Sequence, residues 1–285
     1  MQVPNSSGTA RPKLTAPDNS CDCHMHIYDG ERFPPPRPES RMQPNAGVPD
    51  YRLLQQRIGT RRVVVVTPAA YLTDNAVTLD AIAQLGAAAR GVGVVHPTVT
   101  DAELKRMADG GVRGIRFTQF DPKTATTRLD MIEPLARRAQ ALGWHVQIHL
   151  RADQIVAAED LLLRLPGTIV FDHLGRLTPP EGVDHSAFRI IRRMLDGGRT
   201  WMKLSGAYFF GGPPAHPEAA KVARAYISAA PERMVWGSDW PHPTEKDKPD
   251  DAVLFDLLSD WAPDDATRHR ILVENPAKLY GFPTG

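Results

Sequence analysis

The sequence predicts an α/β protein, a single-domain (β/α)8 TIM barrel, on three observations. Short apolar runs alternate with helical patterns along most of the chain. Eight such runs occur, the number that closes a barrel of parallel strands. Polar and ionisable residues gather at the ends of those runs, where barrel enzymes keep their chemistry. With 285 residues and 42% apolar side chains, the chain can bury one large core. A doubly wound open sheet is the competing arrangement. It normally carries a glycine-rich phosphate turn after its first strand, and neither GxGxxG nor a Walker motif occurs here.

Composition narrows the partners. With 34 basic and 33 acidic side chains the net charge is +1, so neither a nucleic acid nor an anionic membrane surface has an electrostatic case. No apolar run approaches the roughly 20 residues of a membrane span, and the N-terminus lacks the charged and apolar regions of a signal peptide. A cytoplasmic protein is expected. Cys21 and Cys23 are the only cysteines, without a disulfide framework around them, which fits a reducing compartment; no second pair supports a zinc knuckle.

Taken in order, residues 1–19 are polar, carry three prolines and show no periodicity, predicting an extended or partly disordered arm before a barrel over 20–285. The first strand begins near Ser20. Alternation would put Asp22, His24 and His26 on one face and Cys21, Cys23 and Met25 on the other. The proline run at 33–38 predicts a long ordered loop of polyproline character. Asp50 can cap a helix through Ile58, and 62–68 reads as a strand apolar on both faces. A helix is expected over 73–90 and a strand over 91–97. Thr100-x-x-Glu103 is a capping box opening a short helix that ends at Gly110-Gly111. Further strands are expected at 112–118, 144–150, 168–174, 200–205 and 233–239. Helices fall at 131–142, 153–165, 185–195 and 218–229, and two more at 250–261 and 264–274, with Asn275-Pro276 as the stop.

The strand ends carry the chemistry: His24 and His26; Arg116 and Thr118; Gln147 and His149; Asp172 and His173; Lys203 and Ser205; Ser238 and Asp239. An isolated His-x-His is usually a hydrogen-bonded pair. Four histidines and an aspartate converging on one barrel mouth are not. Three or four imidazoles and a carboxylate suit a mononuclear zinc-type centre with an open position. Asp239 would take a proton from water and return it to the leaving group. In a metal-free version His173 or His24 polarises the carbonyl, and Asp239 alone is the base.

The first-strand His-x-His, the histidines of strands five and six and the closing Trp236-Gly-Ser-Asp239-Trp-Pro-His242 resemble the amidohydrolase superfamily. Within it the chain is similar to the lactone-processing branch that includes 2-pyrone-4,6-dicarboxylate lactonase and sugar-acid lactonases. The resemblance runs from Cys21 to Phe282, with Thr73-Asp74-Asn75, Gly114-Ile-Arg116-Phe, Phe171-Asp-His173-Leu-Gly-Arg176 and Lys203-Leu-Ser-Gly206 as further markers. It implies that His24, His26, His173 and Asp239 line the site and would ligate any bound metal, with His149 as the strand-five histidine. Binuclear relatives carry lysine or glutamate on strand four, where this chain has Arg116, so two metals are not expected. Members similar to the pyrone lactonase act without a required metal, whereas decarboxylating cousins depend on one. The resemblance therefore leaves open whether one divalent cation, zinc, takes part or is dispensable, and no organic cofactor is expected.

Arg116 is the first candidate for a substrate carboxylate, because a guanidinium fork matches it; a structural ion pair with Asp121 is its alternative. Arg176 follows, with Arg128 beside it. Tyr71, Tyr208 and Ser205 offer hydrogen bonds to hydroxyls or a ring oxygen, and His149 and His242 complete the expected substrate set. The loop after strand seven is aromatic where the pyrone dicarboxylate enzyme has an arginine, which points to a lactone with one carboxylate or several hydroxyls. The expected activity is lactone hydrolysis, with lactone isomerisation and metal-dependent decarboxylation as rivals, and a silent binding barrel disfavoured. The expected partner is a small lactone or organic acid; exposed barrel helices are compatible with a homo-oligomer.

Overall fold

The computed structural model describes residues 1–283; the last two residues of the expected barrel span lie outside it. Eight parallel strands follow one another around the sheet in chain order: β1 (Cys21–Met25), β2 (Arg62–Val66), β3 (Ala89–Gly93), β4 (Val112–Thr118), β5 (His145–His149), β6 (Ile169–Phe171), β7 (Thr200–Leu204) and β8 (Met234–Trp236). Helices cover the outside: α1 (Val48–Ile58), α2 (Ala76–Leu85), α3 (Asp101–Asp109), α4 (Ile132–Ala141), α5 (Ala152–Ala157), α6 (Glu159–Arg164), α7 (Ser186–Asp196), α8 (Pro217–Ala229) and α9 (Asp251–Trp261). The fold is the expected (β/α)8 barrel. Thr100 caps α3 as its sequence indicates, accepting from Glu103 N at 3.1 Å. The helix expected over 153–165 is broken at Ala158 into α5 and α6.

The four consecutive valines of β2 explain how the core is divided. Val64 and Val66 pack inside the barrel with Cys21, Cys23, Val92, Val170 and Val235, and Tyr280 and Phe282 close the floor. Val63 and Val65 join the larger apolar layer under the helices. A strand buried on both faces must be apolar on both, which is what the run shows.

Simple alternation fails at β1. The register against β2 shifts between Asp22 and Met25, and such an irregularity re-aims the side chains beyond it. Asp22 is therefore parted from the two histidines. Its Oδ2 accepts from Tyr51 of α1 at 3.1 Å and from Ser238 Oγ at 2.6 Å, while its Oδ1 accepts from Ser238 N at 2.9 Å. Cys21 and Cys23 line the interior below His24, instead of the opposite face.

The barrel seam is closed by the segment after β8. Asp239 N donates to His24 O at 2.8 Å, and His26 N donates to Trp240 O at 2.8 Å. Strands β6 and β8 are shorter than their apolar runs suggest, and the chain turns into left-handed backbone from His173 after β6 and at Asp239 after β8. His173, Leu174 and Arg176 have φ of 50°, 55° and 55°, and Asp239 has 63°. Such conformations cost energy in residues other than glycine and collect at functional sites.

Asn275-Pro276 does not stop the last helix. After α10 (Asp265–His269), a wider π turn over Arg270–Glu274 leads into α11 (Asn275–Tyr280), with Pro276 in its first turn, where a missing N–H is tolerated. Asn275 Nδ2 ties the turn to Pro231 O and Met234 O. Residues 1–19 contain no helix or strand, yet they are fastened to the barrel. Trp240 Nε1 donates to Pro4 O at 2.8 Å, and buried Arg57 reaches Ala10 O, Ser7 O and Asp250. Among the described residues no helix is long and apolar enough to cross a membrane.

Gly237 is the tightest point of the seam: a Cβ there would lie 2.7 Å from His24 Cβ and 2.9 Å from His24 N. Gly237→Ala is expected to destabilise the fold by about 1–3 kcal/mol, as forced overpacking does. Urea denaturation checks this, and an unchanged midpoint would show that the seam has slack.

Candidate active site

Three imidazoles are held from behind and share one target. His26 Nδ1 lies 2.8 Å from Val66 O; a carbonyl only accepts, so Nδ1 carries the hydrogen and Nε2 presents a lone pair. His173 Nδ1 lies 2.9 Å from Ser205 Oγ. His24 Nδ1 lies between Lys203 Nζ at 3.2 Å and Asp172 Oδ1 at 3.3 Å. The three Nε2 atoms then face Asp239 Oδ1, at 3.5 Å from His24, 3.5 Å from His26 and 3.9 Å from His173. The other carboxylate oxygen, Oδ2, accepts the Tyr208 hydroxyl hydrogen.

This corner fits a metal ion. Donors around tetrahedral zinc lie about 3.3 Å apart, given bonds of about 2.0–2.1 Å. His24, His26 and Asp239 offer one ligand atom each in a buried group, and His24 Nε2 has no hydrogen-bond partner. A donating Nδ1, as His26 shows towards Val66 O, is how metal-binding histidines are oriented.

Burial dominates the electrostatics of the rings. It pushes His24 and His149 well below the usual histidine range and His173 down to about 4, so these rings are neutral at neutral pH. For Asp239 burial works the other way and would raise its pKa. It is opposed by His173, His26 and His24, whose positive charge when protonated holds the carboxyl well below its ordinary value.

Beneath the corner lies a second carboxylate. Asp172 Oδ2 accepts from Arg116 Nε at 2.9 Å and from Gln147 Nε2 at 3.1 Å, and Oδ1 is 3.9 Å from Lys203 Nζ. The structural ion pair that was the alternative for Arg116 does form, but with Asp172 and not with a loop acid such as Asp121, which accepts from Lys123 N and Thr124 Oγ1. Arg116 Nη2 also reaches His149 Nδ1 at 3.4 Å, and the arginine borders a pocket with Thr118 and Thr127.

An aromatic wall surrounds the opening. His149 stacks on Phe120 with centroids 5.2 Å apart and meets His173 edge-on at 5.0 Å. Phe209 packs against His173 at 5.6 Å. The Arg176 guanidinium is held between Phe120 at 4.3 Å and Phe209 at 3.6 Å. Among the described residues no carboxylate lies within ion-pair distance of it, and burial lowers its pKa to about 10.

The structure thus brings His24, His26, His149, His173, Asp239, Arg116, Tyr208 and Arg176 around one mouth, with Ser205 behind His173. Two expected substrate contacts are engaged elsewhere. Buried His242 is 3.2 Å from Asp251 and meets Tyr208 edge-on from behind. Tyr71 Oη accepts from Asp29 N at 3.1 Å, which secures the loop after β1. Asp172, Lys203 and Gln147 were visible as strand-end residues in the sequence but without roles; their inward-facing alternation with Val170, Trp201 and His149 was the available signal. Phe120 and Phe209 sit on loops, where no periodicity marks them.

A parallel barrel with this mouth defines a class of protein. The chain belongs to the amidohydrolase family, whose sequence profile, described as Amidohydrolase, matches residues 21–282. Within the class it is 34% identical over 273 residues to 4-sulfomuconolactone hydrolase of Rhizobium radiobacter, covering 93% of this chain and 91% of that one. It is 34% identical over 284 residues to 2-pyrone-4,6-dicarboxylate hydrolase of Comamonas testosteroni, covering 95% and 93%. It is also 32% identical over 289 residues to D-galactarolactone isomerase of Agrobacterium fabrum, covering 96% and 94%.

Asp172→Asn would leave the buried cations Arg116 and Lys203 without their shared anion. A stability loss of about 3–5 kcal/mol is expected, as for a broken buried pair. Chemical denaturation measures it, and a loss below about 1 kcal/mol, typical of an exposed pair, would contradict the assignment.

Proposed function

We propose that this chain hydrolyses a lactone carrying one carboxylate or several hydroxyls. The observation that carries the reading is the buried Asp239 carboxylate, its Oδ1 3.5–3.9 Å from the Nε2 atoms of His24, His26 and His173. Support also comes from two relatives named as hydrolases of a muconolactone and a pyrone. Asp239 is ionised at neutral pH and takes a proton from the water that attacks the ring carbonyl. It returns that proton to the ring oxygen as the carbon–oxygen bond breaks, so lactone and water become one hydroxy acid. Tyr208 keeps Oδ2 occupied and so leaves Oδ1 turned towards the reacting atoms.

His24, His26, His173 and Asp239 are the residues that would hold one divalent cation, zinc by their donor set. When bound, it supplies Lewis acidity to the carbonyl. Arg176 is the group that takes an acidic substituent, because it is a desolvated cation without a carboxylate partner. Arg116 contributes less, its charge being largely spent on Asp172. A lactone isomerase is the second reading, supported by the galactarolactone isomerase relative. A substrate hydroxyl then replaces water, and no new acid appears.

An indicator assay of acid release across sugar-acid, muconic and pyrone lactones tests the reaction. Release from one group is expected, with a loss of at least about 100-fold in Asp239→Asn, the low end for a general base. Silence across the panel, with a shifted ring in the recovered lactone, would establish the isomerase instead. For recognition, Arg176→Met is expected to raise KM for an acidic lactone at least about tenfold, the worth of one charge-assisted contact, and to leave neutral lactones nearly unchanged. Equal effects on both would remove Arg176 from substrate recognition.

A further inference from the structure

Directly beneath the histidine corner lies a lysine that the chemistry above does not use. Lys203 is fully buried. Its Nζ donates to Cys23 O at 2.8 Å and lies 3.2 Å from His24 Nδ1. Asp172 Oδ1 is 3.3 Å from the same nitrogen. An ammonium only donates and a carboxylate only accepts, so Nδ1 can satisfy one neighbour at a time. If Nδ1 accepts from Lys203, the ring hydrogen sits on Nε2 and faces Asp239 Oδ1. If Nδ1 donates to Asp172, Nε2 presents a lone pair there. Only the second form is a metal ligand.

Two observations favour the first form. The contact with Lys203 has hydrogen-bond geometry, whereas Asp172 Oδ1 has no hydrogen-bond partner despite its proximity. A lone pair on Nε2 would also oppose the Asp239 carboxylate, which already meets the lone pair of His26. We propose that Lys203 is a positioning residue that keeps the hydrogen of His24 on Nε2, so that a divalent cation can enter only by overturning this tautomer. The cation part of this inference rests on the reading of His24 as a metal ligand. Lys203 acts against a cation twice: it occupies Nδ1, and its charge sits one imidazole away from the metal position.

The wild-type protein, stripped of metal and labelled with 15N at histidine, provides the first test. Long-range 1H–15N spectra, with the His24 signals assigned by their loss in His24→Gln, are expected to show the hydrogen on Nε2. A hydrogen on Nδ1 overturns the inference, whatever any variant does. Lys203→Gln keeps an N–H for the Cys23 carbonyl and removes the charge; it should move the hydrogen to Nδ1. Zinc affinity, read by competition with a chromophoric chelator, should rise at least about tenfold in Lys203→Gln and in Lys203→Met. Damage to the fold would weaken zinc, so an unchanged or lower affinity in both variants, with native circular dichroism, also overturns it. These shifts in a protein that releases acid from no lactone would uphold the role of Lys203 and remove only the lactonase reading.

Discussion

The buried carboxylate of Asp172 is the constraint around which the barrel interior is arranged. It stands just after β6 and takes hydrogen bonds from Arg116 of β4 and Gln147 of β5, with Lys203 of β7 and His24 of β1 within ion-pair distance. An anion removed from water needs such partners, or it would not stay ionised. Supplying them draws side chains from four strands to one point below the mouth. The rings of His24 and His149 are held by the same set, so the geometry of the histidine corner depends on a residue that lies beneath it.

The second constraint couples the seam of the barrel to its chemistry. The segment that closes β8 onto β1 is the one that carries Asp239, and the hydrogen bonds of the seam come from Asp239 itself, Ser238 and His26. Asp239 then adopts left-handed backbone, which turns its carboxylate into the cluster of imidazoles. Gly237 permits the close approach to His24 that this requires. Closing the barrel and seating Asp239 among the imidazoles are one structural event.

The mouth holds two arginines in different electrostatic states. Arg116 is compensated by Asp172 and braces His149. Among the described residues Arg176 is braced by aromatic faces and by no carboxylate, and such faces hold a cation without neutralising it. A guanidinium in that state is the stronger attractor for an acidic group. The aromatic segment after β7 thus supplies both a wall of the mouth and a seat for the arginine.

Much of this was legible in the chain. The alternation of apolar strands and helical patterns determines the eight-unit barrel, because parallel strands buried on both faces must be apolar throughout. The polar residues at the strand ends determine which side chains can meet, because every strand of such a barrel points the same way. The tertiary structure decided the rest. Only the register shift in β1 parted Asp22 from His24, since periodicity cannot locate an irregularity. Only the packing of strands side by side gave Arg116 to Asp172 and not to Asp121, because a charge selects its partner by distance in space. Only the loop geometry put Arg176 between Phe120 and Phe209, residues with no periodic signal to join them. The sequence by itself determined which groups arrive at the mouth; which of them stay free to act was decided by what each one meets there.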